Sequence, residues 1–317
     1  MSLLIYQRGL ANLLGNYFKT RYWEIFIMST KKSEDKKIFQ EFYKSAPQLF
    51  NDIIRAQRSE GLAFRGVSRS IENKPKIQRV FDNKFKLTVD CSKNEFQMLN
   101  DFYRLGRPYF TVNYDVLDYV ACAQHYGVPT RLIDWTRDPF VALFFAVYNN
   151  ASPEDDIYTI YYANRSEHTV IDRIYNAATW FEVESGSEFI LKYKSFIEVI
   201  NDENKFRECG LERRKNVEDL GIIDNCNYNE NSLLFFNPPM SNDRLIAQQG
   251  LFSIPPSLKN NHAADDIKKK TDYFKLIFTP GFRDDMIIFL NNMNYTPTRL
   301  FPELESIGNY IKRKYVK

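Results

Sequence analysis

The sequence predicts an α+β fold built on a mixed central sheet, and three observations lead there. Short runs rich in β-branched and aromatic residues, such as Ile157-Tyr158-Thr159-Ile160-Tyr161-Tyr162, recur along the chain and suit strands. Longer stretches with apolar residues at helical spacing separate them. The segment Phe140 to Tyr148 is apolar almost throughout, which leaves no wet face and predicts one helix buried at the centre of the fold. At 317 residues the length suits about two domains, or one large domain with an insertion. The division expected is an N-terminal extension and helical segment over residues 1–60, then one domain over 61–317 with a mostly helical insertion at about 166–231.

Taken in order, residues 1–27 carry Arg8, Lys19, Arg21 and Glu24 among apolar neighbours, unlike the compact apolar block of a secretory signal. Met28-Ser29-Thr30-Lys31-Lys32 reads as a fresh, solvated start, so residues 1–27 are expected to be an extension. Lys36 to Arg58 has Phe39, Phe42, Tyr43, Leu49, Ile53 and Ile54 at helical spacing around Pro47. Leu62-Ala63-Phe64-Arg65-Gly66-Val67 is a short apolar run and predicts a buried strand that delivers Arg65. Pro75 to Lys86 reads as surface loop, Ser92 to Tyr109 as a helix and Asp115 to Tyr126 as another, ended by Gly127, where left-handed geometry costs glycine nothing.

Further along, Asp156 to Tyr162 predicts a strand, Phe189 to Asn201 an amphipathic helix, and Glu208 to Leu220 a charged helical piece. Ser232 to Phe236 is a strand, Asp243 to Gln248 a helical turn or two, and Gly250 opens the next strand. Asp272 to Phe278 is a strand, Arg283 to Asn292 a helix, and Pro302 to Tyr315 a last helix with Leu304, Ile307 and Ile311 inward.

Composition narrows the function classes. A net charge of +3 from 43 basic and 40 acidic residues argues against dedicated duplex binding, which needs a concentrated basic footprint. The 26 Phe and 20 Tyr supply ample core and stacking surface. Cys91, Cys122, Cys209 and Cys226 stand singly, so neither a disulfide framework nor a metal site is expected, and the usage fits a reducing cytoplasm. Even the run 140–148 is about half the length a bilayer span requires, so no membrane partner is expected.

The densest chemistry lies in Gln124-His125-Tyr126-Gly127-Val128-Pro129-Thr130-Arg131-Leu132-Ile133-Asp134-Trp135-Thr136, just before the buried helix. Thr136 or Asp138 can cap that helix, and Arg131 and Arg137 upstream make its start a candidate anion site. The plainer reading is that Asp134 pairs with Arg131 or Arg137 and the loop only braces the helix. Arg65 carries the same two readings: an internal salt bridge, to Asp134 for instance, or a ligand phosphate or ribose, because a buried arginine has to be paired. His125, at a helix C-terminus, either is held protonated by the dipole or bonds a free carbonyl. Arg244 and Gln248, four apart, share a helix face.

The run QHYGVPTRLIDWTRDPFVALFFAV, with Phe64-Arg65-Gly66 upstream and Arg299-Leu300-Phe301-Pro302-Glu303-Leu304-Glu305 near the end, resembles the signature of the bacterial FRG-domain family. The Arg-Gly at a strand end is also similar to the first motif of arginine-type ADP-ribosyltransferases. Pro129 to Asn149 and Arg244 to Gln248 resemble, more loosely, parts of the DNA-modifying toxins of that fold. The resemblance implies an ADP-ribosyltransferase-like arrangement, NAD as substrate with no metal, and a toxin or antiviral defence effector acting on a nucleic acid or protein acceptor. A phage-derived trigger or an antitoxin would control it. Arg65, Gln248 and Asp134 are then the catalytic candidates, and Gly66, Gln124, His125, Tyr126, Thr130, Arg131, Trp135 and Arg244 the cofactor-binding ones. The departure is Gln248, which stands where those enzymes place a glutamate. The rival expectation is a non-catalytic sensor or binding module for a phage protein or nucleic acid.

Overall fold

The computed structural model describes residues 26–30, 61–68, 73–85, 91–110, 116–148, 157–171, 186–202, 233–238, 242–259, 262–277 and 282–315. Eight strands form one sheet in the order β1-β8-β4-β2-β3-β7-β6-β5. They are β1 Phe26–Thr30, β2 Leu62–Ser68, β3 Ile133–Thr136, β4 Ile157–Asn164, β5 Thr169–Ile171, β6 Leu234–Phe236, β7 Gly250–Ser253 and β8 Asp272–Ile277. Every neighbouring pair is antiparallel except β5 and β6, so the sheet is mixed, as the sequence predicts.

The described helices are α1 Lys76–Phe85, α2 Ser92–Gly106, α3 Val116–His125, α4 Pro139–Tyr148, α5 Gly186–Asn201, α6 Asp243–Gln248, α7 His262–Lys270, α8 Phe282–Asn292, α9 Pro297–Leu300 and α10 Leu304–Tyr315. Helix α4 is the predicted central one: Pro139 to Phe144, Ala146 and Val147 are all buried. It packs with Phe64, Tyr158 and Ile160 of the sheet and with Met286, Phe289 and Leu290 of α8. Its closest approach to the sheet is at Gly66, where a Cβ would fall 1.8 Å from the Ala142 carbonyl oxygen. No larger residue fits between β2 and α4 without driving them apart. A second apolar cluster gathers α2, α3 and α5 over Phe236 and Phe252, and a third sits around Trp135, Phe235 and α7.

Several expectations are revised. Lys76–Phe85 is helix where loop was expected, with Pro75 just ahead of its first turn, a position proline tolerates because no helical N–H is lost there. The last helix turns Leu304 and Ile311 outward, 87% and 50% exposed, because helical spacing reports a stripe and not what covers it. β1 pairs with β8 from Phe26↔Ile277 to Thr30↔Tyr273. β5 joins the sheet through β6. The helices expected over Lys36 to Arg58 and Glu208 to Leu220 lie outside the described residues.

Candidate functional site

The central loop is built from the end of α3. Gly127 adopts φ +96°, its N–H donates to the Gln124 carbonyl at 3.0 Å, and the Val128 N–H reaches the Ala123 carbonyl at 3.0 Å. This is a glycine-terminated helix end, which returns the chain toward β3. The Gln124 side chain then spans the loop: its Oε1 accepts from Thr130 Oγ1, and its Nε2 donates to Asp134 Oδ1 at 2.8 Å. Gln124, Thr130 and Asp134 are therefore one hydrogen-bonded chain.

Arg131 leaves the loop in another direction. Its side chain is wholly buried against Glu95 of α2, with Nη2 at 2.7 Å and Nε at 2.8 Å from Oε2, while Glu95 Oε1 accepts the Arg131 backbone N–H at 2.7 Å. The Pro256 carbonyl at 2.9 Å and Ser92 Oγ at 3.2 Å take further donors, and the Phe96 and Tyr193 rings flank the guanidinium. The expected phosphate contact is replaced by this enclosed ion pair, which fastens the loop to α2. Nor does Asp134 pair with Arg131 or Arg137.

Arg65 is buried differently. β2 and β3 are paired only at Phe64↔Thr136. Beyond that point Arg65 Nη1 donates to the Asp134 backbone carbonyl at 2.8 Å, and Nε to Asn73 Oδ1 at 2.7 Å. Both acceptors are neutral. A guanidinium has five N–H donors, and these bonds commit two. The Nε of Arg79, in α1, is buried and without a hydrogen-bond partner. No carboxylate among the described residues forms an ion pair with either arginine. Burial lowers the Arg65 pKa to about 10, Asp134 offsetting and Arg79 adding to that shift. Arg79 is lowered by burial too, and again Asp134 opposes it. Two guanidiniums thus share the field of one exposed carboxylate. Tyr161, paired with Arg65 in the register of β2 and β4, has its phenol raised chiefly by burial.

A second group adjoins the loop. Burial lowers the His125 pKa, with Arg244 adding to the shift and Glu303 opposing it, which disfavours the protonated ring expected from the helix dipole. Arg244 lies over the Phe301 ring at 4.8 Å, and Gln248 Nε2 donates to the Leu300 carbonyl at 2.8 Å. Both carboxylate oxygens of Glu303 are buried and without a hydrogen-bond partner. Thr136 Oγ1 donates to the Gln248 carbonyl at 2.7 Å, which ties this group to the strand of Asp134.

Other candidates are placed elsewhere. Trp135 is buried against Phe235 and donates to Ser253 Oγ at 2.8 Å, so it is not free to stack on a ligand. Tyr126 is exposed beside His125 and Phe102. The start of α4 is already filled: Asp138 Oδ1 accepts from the Phe140 N–H at 2.8 Å, and Oδ2 from Tyr295 at 2.9 Å. The anion expected at that helix start is the chain's own aspartate.

With this geometry in place, residues 60–155 match the family model for the FRG domain. The chain carries an FRG domain. Comparison with curated proteins and with solved structures finds no match. The matched FRG segment contains Arg65, Gly66, Arg79, the loop 124–136 and α4, whereas Arg244, Gln248 and Glu303 lie beyond it. Sequence reasoning did not single out Asn73, Arg79 and Glu303 as functional residues. Arg79 lies in a stretch read as loop, and no local spacing ties it to Arg65. Glu303 stands in the tail run Arg299 to Glu305, which carried a family resemblance but no role for the acid. Among the described residues no group of His, Cys, Asp or Glu is arranged to hold a metal ion, and no helix is long and apolar enough to cross a membrane.

Proposed function

We propose that the protein binds a phosphorylated nucleotide of the NAD class along the seam from Arg65 and Arg79, past Asp134 and Gln124, to His125, Arg244 and Gln248. The observation that supports this is Arg65, whose guanidinium meets two neutral acceptors, with the charge of Arg79 near enough to depress its pKa and no ion-pairing carboxylate for either among the described residues. Such a pair is costly unless an oxyanion joins it, and a phosphate presents acceptors in the geometry a guanidinium fork prefers. His125 and the buried Glu303 carboxylate then offer an acceptor and a base at the other end of the seam. In this reading the protein is an ADP-ribosyltransferase-type effector, with Asp134 or Glu303 supplying the negative charge that Gln248 lacks. Its role as a toxin in antiviral defence comes from the family resemblance alone.

One observation favours a binding module without transfer chemistry. The Gln248 amide is already committed to the Leu300 carbonyl, and a neutral amide balances a developing positive charge poorly. Labelled NAD, incubated with the purified protein and cell extract, separates the two readings. Transfer predicts NAD consumption that falls by about a hundredfold in Arg65→Ala and Arg79→Ala chains with unchanged thermal unfolding. Consumption unaffected by either substitution contradicts the site, and binding of NAD without consumption selects the module.

A further inference from the structure

Away from that seam, two more guanidiniums converge. Arg137 follows β3 and Arg165 follows β4. Both donate to Asn237 Oδ1, just beyond β6, at 2.9 Å from Arg137 Nη2 and 3.3 Å from Arg165 Nη1. Each arginine is pinned by its strand end: the Arg137 N–H reaches the Gln249 carbonyl at 3.1 Å, and the Gly61 carbonyl accepts from both the Arg165 N–H and its Nε at 3.0 Å. The main chain of both arginines is thus fixed, and the Arg165 side chain is held by a backbone carbonyl as well.

No carboxylate among the described residues forms an ion pair with either arginine. Glu167, two residues from Arg165, accepts instead from Asn164 Nδ2 at 3.1 Å. One amide oxygen shared between two cations screens little of their repulsion, and the Arg137 pKa is lowered first by burial and then by Arg165. Both side chains remain partly exposed, so the remaining N–H donors are open to a ligand from solvent. An oxyanion with several acceptor oxygens would take those donors and cancel the like-charge contact.

We propose that Arg137, Arg165 and Asn237 form a second oxyanion site, for a phosphate group, distinct from the Arg65 seam. Gly61, which anchors Arg165, precedes Arg65 by four residues, about 13 Å along an extended strand. One small anion cannot serve both pairs. The phosphate belongs either to a free phosphate compound or to a nucleic acid backbone, and the arms of the test separate these.

Calorimetric titration with inorganic phosphate, and separately with a short single-stranded oligonucleotide, is run on the full chain and on Arg165→Gln, Arg165→Lys and Arg137→Gln variants, with thermal unfolding as the folding control. Arg165→Gln and Arg137→Gln are each expected to lose at least tenfold in affinity, and Arg165→Lys, which keeps the charge without the fork, to fall between them and the native chain. Oligonucleotide that competes with phosphate assigns a backbone phosphate; phosphate bound without such competition assigns a free phosphate compound. Phosphate affinity unchanged in both Arg165→Gln and Arg137→Gln overturns the proposal. Neither result bears on NAD consumption at the Arg65 seam, so the two readings fail separately.

Discussion

Arg65 and Arg131 are both buried, and the chain deals with their charges in opposite ways. Arg131 meets the Glu95 carboxylate and is closed off; among the described residues Arg65 meets an amide and a carbonyl. The first charge is balanced by an ion pair, and the second has no such partner among the described residues. His125 supplies a test at the same scale. Its folded pKa lies below the ordinary value, so the unfolded chain binds a proton more readily between the two values, and stability falls as pH drops from about 6.5 toward the folded value. Urea midpoints measured at pH 7.5 and 5.5 should fall more for the native chain than for His125→Gln. An equal fall in both would mean that His125 does not carry this part of the acid sensitivity.

Among the elements, the loop between α3 and β3 depends on anchors at both ends. Gly127 ends α3, Gln124 ties Thr130 to Asp134, and Glu95 holds Arg131 from α2. Removing Glu95 would strand a fully enclosed guanidinium, so Glu95→Ala is expected to cost about 3–5 kcal/mol in denaturant unfolding. A loss below about 1 kcal/mol, the usual worth of an exposed pair, would show that the loop does not rely on this anchor. Much at this scale was legible in the sequence. The all-apolar run at 140–148, the glycine after Tyr126 and the β-rich run at 157–162 each follow from local chemistry. Helix Lys76–Phe85 was not, since its charged residues resemble those of a solvated loop and its role depends on where Arg79 lands. The Arg131–Glu95 pair was hidden for a related reason: its members are 36 residues apart and no spacing rule connects them.

For the molecule as a whole, the sheet order interleaves early and late strands, and this brings the candidate groups together. β2, β3 and β7 lie side by side although they span residues 62 to 253. Arg65, the central loop and the Arg244 to Gln248 helix are therefore neighbours only once the sheet has closed. The sequence identified these three pieces, but not that Trp135 and Arg131 turn into the core, because direction off a short strand or loop is set by packing. If Arg65 and Arg79 together receive a phosphate of a nucleotide, direct titration of ADP-ribose into the purified chain reads it out. Saturable binding to the native protein is expected, weakened at least tenfold by Arg65→Ala and by Arg79→Ala alike, and weakened at higher salt. Absence of binding to the native chain, or binding that survives both substitutions undiminished, would contradict it.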